Sequence, residues 1–245
     1  MGTVVSFHIW PGDADRGALF LALAEARAGL HRADAVFSTW KPGSPMSRLR
    51  RSEIDLTAAP GEVAEVLERC REARERSGGW FDPWAMPGGV DPTGLVKGWA
   101  ADRALQILVE TGVGGAMVSA GGDLAVSGQP EPGQRWRIGI QNPFDRGTMV
   151  AVVEPEAAVA TSGSYERGLH VIDPHSGAPA AAVASASVTG PHLDMADALA
   201  TGLVAGGRAA LAHVEAYEGY EALLIGHDGA FQHTSGFPLV ATGED

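Results

Sequence analysis

Apolar residues recur along this chain at two spacings, and those spacings predict its elements. Residues 4–10 alternate apolar and polar, as a half-buried strand does. Residues 13–35 carry Leu19, Leu23, Ala26 and Leu30 at helical spacing, before a break at Phe37-Ser-Thr-Trp-Lys-Pro-Gly-Ser44. The same reasoning predicts helices over 61–77, 96–111, 194–205 and 208–216, with loops over 78–94 and around 177–179. Short runs bounded by Gly, Pro, Asn or Asp predict strands over 116–120, 124–128, 136–141, 149–154, 157–160, 184–189 and 221–226. Helices and strands mix without a steady βαβ rhythm. The expected class is therefore α+β, with mixed, mostly antiparallel sheets and packed helices. No internal repeat, low-complexity tract or linker divides the chain, so one domain over 1–245 is expected.

Composition narrows the chemistry. With 245 residues, 45% of them apolar, the chain can build a sizeable core. Its formal net charge of −12 argues against nucleic acid or an anionic membrane as partner, since nothing would neutralise phosphates over an extended surface. No apolar run approaches the roughly 18 residues of a membrane span, and no basic stretch followed by a cleavage site opens the chain, so the cytoplasm is the expected compartment. The single Cys70, in a helical run, excludes an intrachain disulfide framework and a Cys-based zinc site and reads as a structural thiol.

Two stretches place polar groups where a structural helix wants apolar ones. In Leu193-Asp-Met-Ala-Asp-Ala-Leu-Ala-Thr201, the side chains of Asp194, Asp197 and Thr201 fall at i, i+3 and i+7 on a helix that is otherwise apolar nearly all round. Two readings stand. Asp194 and Asp197 could cap the helix and favour its positive end. Alternatively, two carboxylates and a hydroxyl on a buried stripe could hold a hard cation, Mg²⁺ or Ca²⁺ rather than zinc; a cap does not account for Thr201, two turns in. In Asp91-Pro-Thr-Gly-Leu-Val-Lys-Gly-Trp-Ala-Ala-Asp-Arg103, a glycine turn enters a helix, so backbone N–H groups and Lys97 collect where an anion would be favoured. The spacing matches neither a Walker A loop nor a dinucleotide fingerprint. Lys97 taken alone is a solvated helix charge, and Asp102 with Arg103 reads as an exposed pair. Ser119-Ala-Gly-Gly-Asp123 reads as a hairpin turn or a place where backbone approaches a ligand. His170, Asp173 and His175 lie close together but make a weak zinc pattern. Trp40, Trp80, Trp84 and Trp99 read mainly as core, although a Trp beside a polar loop could stack on a ring.

Taken in order along nearly the whole chain, these segments resemble the ApbE family of FAD:protein FMN transferases. The residues carrying the resemblance are Met1-Gly-Thr3, Phe37-Ser-Thr-Trp-Lys-Pro-Gly-Ser-Pro-Met-Ser-Arg-Leu49, Phe81-Asp-Pro83, the stretch from Asp91 to Arg103, Gly121-Gly-Asp123, Ala160-Thr-Ser-Gly-Ser-Tyr-Glu-Arg167, His170-Val-Ile-Asp-Pro-His-Ser-Gly177 and Asp194 to Thr201. The resemblance implies an α+β protein in which Asp194, Asp197 and Thr201 bind Mg²⁺ together with the backbone carbonyl of Gly94. It implies further that Met1, Trp40, Asp91 and Lys97 contact FAD, with Trp40 where the family usually has Tyr against adenine. His170 would lie beside the pyrophosphate, with a backbone contact from Val171 or Ile172. The implied activity moves FMN from FAD onto a Thr or Ser hydroxyl in a motif of an acceptor flavoprotein, releasing AMP; Asp194, Asp197 or His170 would serve as base. Two other activities fit the same residues: an FAD pyrophosphatase that gives FMN and AMP, and a flavin-binding protein without turnover. The chain departs from the family in two short segments, between Phe81-Asp-Pro83 and Asp91 and between Arg167 and His170. Its Met-Gly-Thr stands first, whereas many relatives carry an export signal ahead of it.

Overall fold

A computed structural model describes residues 2–163, 171–180 and 182–240 of the chain. Among the described residues there are nine strands: β1 (Val5–Trp10), β2 (Gly115–Ala120), β3 (Asp123–Gly128), β4 (Ile138–Asn142), β5 (Asp145–Val153), β6 (Ala158–Gly163), β7 (Ser185–Gly190), β8 (Glu221–Ile225) and β9 (Phe231–His233). Seven of them make one sheet in the order β1-β2-β3-β6-β7-β8-β9, and β4 pairs with β5 in a separate ribbon. Every pairing is antiparallel, so the expected α+β class with antiparallel sheets is what the structure has.

The helices are α1 (Arg16–Phe37), α2 (Pro45–Arg50), α3 (Gly61–Arg76), α4 (Thr93–Val109), α5 (Leu193–Gly206) and α6 (Arg208–Glu215). Both α4 and α5 lie against the large sheet, α4 on β2 and β3 and α5 on β6 and β7, while α1 and α3 pack outside them. The main core fills this helical face, joining Ala116, Val118 and Ala125 of the sheet to Leu95, Leu108, Met195 and Leu203. On the opposite face Ile138, Ile140 and Val153 of the ribbon cover Val159 and Leu223, closing a smaller core. Because α5 is covered on all sides, nearly every one of its residues is buried. No helix among the described residues is long and apolar enough to cross a membrane.

Three elements depart from the sequence reading. Strand β9 is not expected at all, its three residues being too few to show an alternation. The stretch after Phe37 contains α2, begun by Ser44, whose hydroxyl accepts from the Ser47 N–H at 3.0 Å, and by Pro45 in the first turn. One and a half turns give too little periodicity to announce a helix. Strand β6 runs on through Thr161, Ser162 and Gly163, none of them apolar, so only the pairing with β7 shows the extension.

Where α4 and α5 meet, backbone nearly touches backbone. A Cβ on Gly98 would lie 2.4 Å from the Leu193 carbonyl oxygen, so this close approach requires glycine. One turn on, Asp102 Oδ2 accepts the N–H groups of Leu193 and Asp194, at 2.8 and 3.1 Å. Asp102 is thus no exposed surface charge: it caps α5, whose own N-cap residue His192 makes no side-chain cap. Burial and the nearby Asp194 push its carboxyl up to about 7.

Candidate functional site

A cleft opens at the end of the sheet where α4 and α5 converge. Its walls come from the α1–α2 loop (Phe37 to Trp40), the 80–86 segment, the first turn of α4 (Thr93, Gly94, Lys97), Gly121 of the β2–β3 turn, Thr161 to Gly163 closing β6, Val171 and Ile172, and Asp197 and Thr201 of α5. These segments are far apart in sequence, and each is held in place by local chemistry.

Ser38 fixes the first wall. Its hydroxyl accepts from the N–H groups of Trp40 and Lys41, at 3.3 and 3.2 Å, and its carbonyl accepts from the Ser47 hydroxyl at 3.0 Å. The turn projects the Trp40 ring over the cleft with 91% of its surface exposed, which is a large unburied cost for a purely structural Trp. Trp80 and Phe81 pack on the glycines of α5, Trp80 so tightly that a Cβ on Gly206 would meet its ring at 2.3 Å. Asp82 anchors the same segment, accepting from Arg74 at 2.7 Å and from the Trp84 N–H at 2.9 Å. Asp91 ties the entry of α4: one oxygen accepts from the Thr93 N–H and the other from Arg50, each at 3.0 Å.

The charged centre lies between α4, α5 and β3. Lys97 donates to Asp123 Oδ2, and its Nζ is 3.5 Å from Asp197 Oδ1. Asp123 is buried and is fixed by its other oxygen, which accepts from the Thr161 N–H at 2.9 Å. The second oxygen of Asp197, Oδ2, is buried with no hydrogen-bond partner among the described residues. Thr201 Oγ1 lies 3.4 Å from Ser162 Oγ, and a Cβ on Gly94 would come within 3.5 Å of the same Thr201 oxygen. Burial drives the Asp197 carboxyl upward, to about 8; Lys97 opposes this and Asp123 adds to it. A buried, unpartnered carboxylate oxygen beside hydroxyl oxygens is costly unless something positive joins it, and this all-oxygen donor set suits a hard divalent ion.

The structure brings together Lys97, Gly94, Asp197, Thr201, Trp40 and Val171, all on the cleft wall. Asp194 does not join them. Its carboxylate forms a two-point ion pair with Arg69 of α3, Oδ2 to Nε at 2.7 Å and Oδ1 to Nη2 at 2.9 Å, and Oδ1 also accepts from the Met195 N–H. In the first turn of α5 the side chain reaches outward toward α3, so Asp194 is neither the cap nor a member of the cleft. Asp91 lies behind the cleft wall rather than in it. Met1 and His170 fall outside the described residues. Of the other Trp residues, Trp99 is buried, as expected, and Trp80 packs edge-on to His175 at 4.4 Å. Cys70 is buried and free, with its thiol pushed upward by desolvation, as a structural thiol should be.

Asp123 is the site residue that sequence reasoning left in a turn. Gly121 and Gly122 adopt positive φ, +62° and +97°, and make the two-residue hairpin as expected. The available signal was an Asp opening a strand that is otherwise apolar, where an unpaired carboxylate would be expensive.

Comparison with known proteins places the chain by sequence and by fold. The profile described as the ApbE family matches residues 1–89 and 86–224. Among curated relatives, an FAD:protein FMN transferase from Salmonella typhimurium is 34% identical over 151 residues, which is 57% of this chain and 43% of the relative. Another from Vibrio cholerae is 34% identical over 155 residues, 58% of this chain and 46% of the relative. The matched stretch thus spans less than half the length of these relatives. The solved flavin transferase ApbE from Vibrio cholerae superposes with a TM-score of 0.81 at 26% identity, covering 97% of this chain and 95% of that one. The ApbE protein from Thermotoga maritima, at 22% identity, shares the fold with a TM-score of 0.78.

Proposed function

The chain belongs to the ApbE family, and from that membership we propose that it transfers the FMN portion of FAD to a Thr or Ser hydroxyl of an acceptor flavoprotein. The acceptor oxygen forms a bond to the FMN phosphorus, the anhydride bond to the second phosphorus breaks, AMP leaves, and the hydroxyl proton passes to a base. One observation carries the reading: Asp197 lines the same cleft as Thr201, Lys97 and the first turn of α4, and its buried Oδ2 has no hydrogen-bond partner among the described residues.

In this reading Mg²⁺ is held by Asp197, Thr201 and the Gly94 carbonyl, and when bound it supplies Lewis-acid neutralisation of the pyrophosphate oxygens. The ammonium of Lys97 and the N-terminal amides of α4 present positive charge toward the same anion. Trp40 offers an exposed ring on which a flavin or adenine ring can stack. Asp194, committed to Arg69, is removed from the bases considered; Asp197 and His170 remain. A carboxylate that holds the cation would be the weaker base of the two, because the ion's charge favours its ionised form.

The test incubates the protein with FAD, Mg²⁺ and a co-supplied acceptor flavoprotein, resolving products by chromatography and intact mass. Covalent FMN on the acceptor with one AMP released per transfer is expected. Free FMN plus AMP without adduct would instead identify a pyrophosphatase, and unchanged FAD a binding protein without turnover.

A further inference from the structure

The geometry points to Asp123 as a positioning residue that holds Lys97 away from Asp197 and so keeps the Asp197 carboxylate available to a divalent cation. The inference rests on the cation reading of the previous section. Lys97 is one ammonium set between two buried carboxylates, and it does not share itself evenly. It is in direct contact with Asp123 and stands 3.5 Å from the nearer oxygen of Asp197.

Asp123 is built to hold that contact. It opens β3 directly after the Gly121-Gly122 turn, it is 1% exposed, and the Thr161 N–H pins its second oxygen at 2.9 Å. Neither its backbone nor its side chain can follow Lys97 toward α5. Asp197, by contrast, keeps one buried oxygen without a hydrogen bond.

Lys97 and Asp197 lie on adjacent helices and already form a loose ion pair at 3.5 Å, so a Lys97 released from Asp123 has only a short distance to travel before that pair becomes a close, hydrogen-bonded one. In a desolvated cleft the close pair would be strong, and a cation would have to displace it. With Asp123 present, most of the ammonium's hydrogen bonding is spent on the β3 side, and Oδ2 of Asp197 is left for a cation. Asp123 therefore acts on the cation through Lys97, without touching it.

The experiment measures Mn²⁺ binding to the FAD-free protein by calorimetry, for wild type, Asp123→Asn, Lys97→Met and the double variant, with thermal melts to confirm folding. Asn at position 123 keeps an oxygen for the Thr161 N–H while losing its charge. Asp123→Asn should weaken Mn²⁺ binding on the order of tenfold, and adding Lys97→Met should restore it to about the wild-type affinity. If the double variant stays as weak as Asp123→Asn, Asp123 acts on the cation site by some route other than Lys97 and the inference fails. If Asp123→Asn binds as wild type does, it also fails. Should Asp123→Asn not fold, Asp123→Ser takes its place and is read in the same way: weaker Mn²⁺ binding that Lys97→Met restores supports the inference, and wild-type binding or an unrestored loss overturns it. No Mn²⁺ binding by folded wild type would instead refute the cation reading on which the inference stands.

Discussion

Replacing Gly98 with Ala tests how the two site-bearing helices are held together. In an exposed helix this change adds stability, since Gly is about 0.8–1.0 kcal/mol worse than Ala in a helix interior. Here the new methyl would sit 2.4 Å from the Leu193 carbonyl oxygen, 2.5 Å from its carbon and 2.6 Å from the Asp194 nitrogen. All three are backbone atoms that cannot rotate aside, so relief requires α4 and α5 to separate by about 1 Å. Overpacking of this kind costs about 1–3 kcal/mol and outweighs the propensity gain. The expected net loss is on the order of 1–2 kcal/mol, a fall in Tm of about 2–8 °C for a chain of this size. Gly29 supplies the control: it lies in α1 with nothing within 4 Å of a built Cβ, so Gly29→Ala should gain about 0.5–1 kcal/mol. The same separation would move Gly94 and Lys97 relative to Asp197 and Thr201, and a 1 Å misplacement can cost about 100-fold in rate. Thermal and urea denaturation of both variants, with FMN transfer measured on the folded protein, make the assay. A Gly98→Ala protein as stable as Gly29→Ala would refute the packing argument.

Three further outcomes follow from named contacts. Asp194→Ala removes one of the two carboxylates on Arg69, which keeps Glu72, and should cost about 1–3 kcal/mol for this part-buried pair. The folded variant should nonetheless bind Mn²⁺ as wild type does, whereas Asp197→Ala should lose that binding; a calorimetric titration showing loss in Asp194→Ala would return Asp194 to the cation site. For Asp102 the folded carboxyl is raised from 3.8 to about 7, so the folded state holds a proton that the unfolded chain releases between those values. The contribution of Asp102 to stability should therefore be greatest at acid pH and fall by a few kcal/mol as pH rises from about 4 to 7. Asp102→Asn keeps the capping oxygen and should make the decline shallower, leaving the part due to Asp197, whose carboxyl is raised in the same direction; urea midpoints that still track wild type across the window would contradict the assignment. Trp40→Ala should weaken FAD binding by about 1–3 kcal/mol without changing Tm, because the ring is exposed; an unchanged Kd by fluorescence titration would remove Trp40 from the site.

Much of the architecture was legible because local sequence encodes it. The periodicities of α1, α3, α4 and α5 and the short bounded runs of β2, β3, β7 and β8 are one-dimensional signals that survive folding. The same holds for Asp197 and Thr201, whose i, i+4 spacing puts them on one side of α5; Gly94 entered only through the family resemblance, and Lys97 taken alone read as a solvated charge. Elements too short or too polar to show a period, α2 and the far end of β6, were not legible.

The amino-acid order by itself determined the α+β class and the two helical stretches that carry the polar groups of the cleft. Tertiary structure alone decided how those groups are partnered. Asp194 meets Arg69 across 125 positions, Asp102 of α4 caps α5, and Asp123 takes hold of Lys97. The reason is physical: a spacing rule states which side of its own helix a side chain occupies, but the energy of a buried charge depends on what packing brings opposite it. The two carboxylates on α5 look alike in sequence. One is neutralised by Arg69, and the other keeps a buried oxygen open to the cleft.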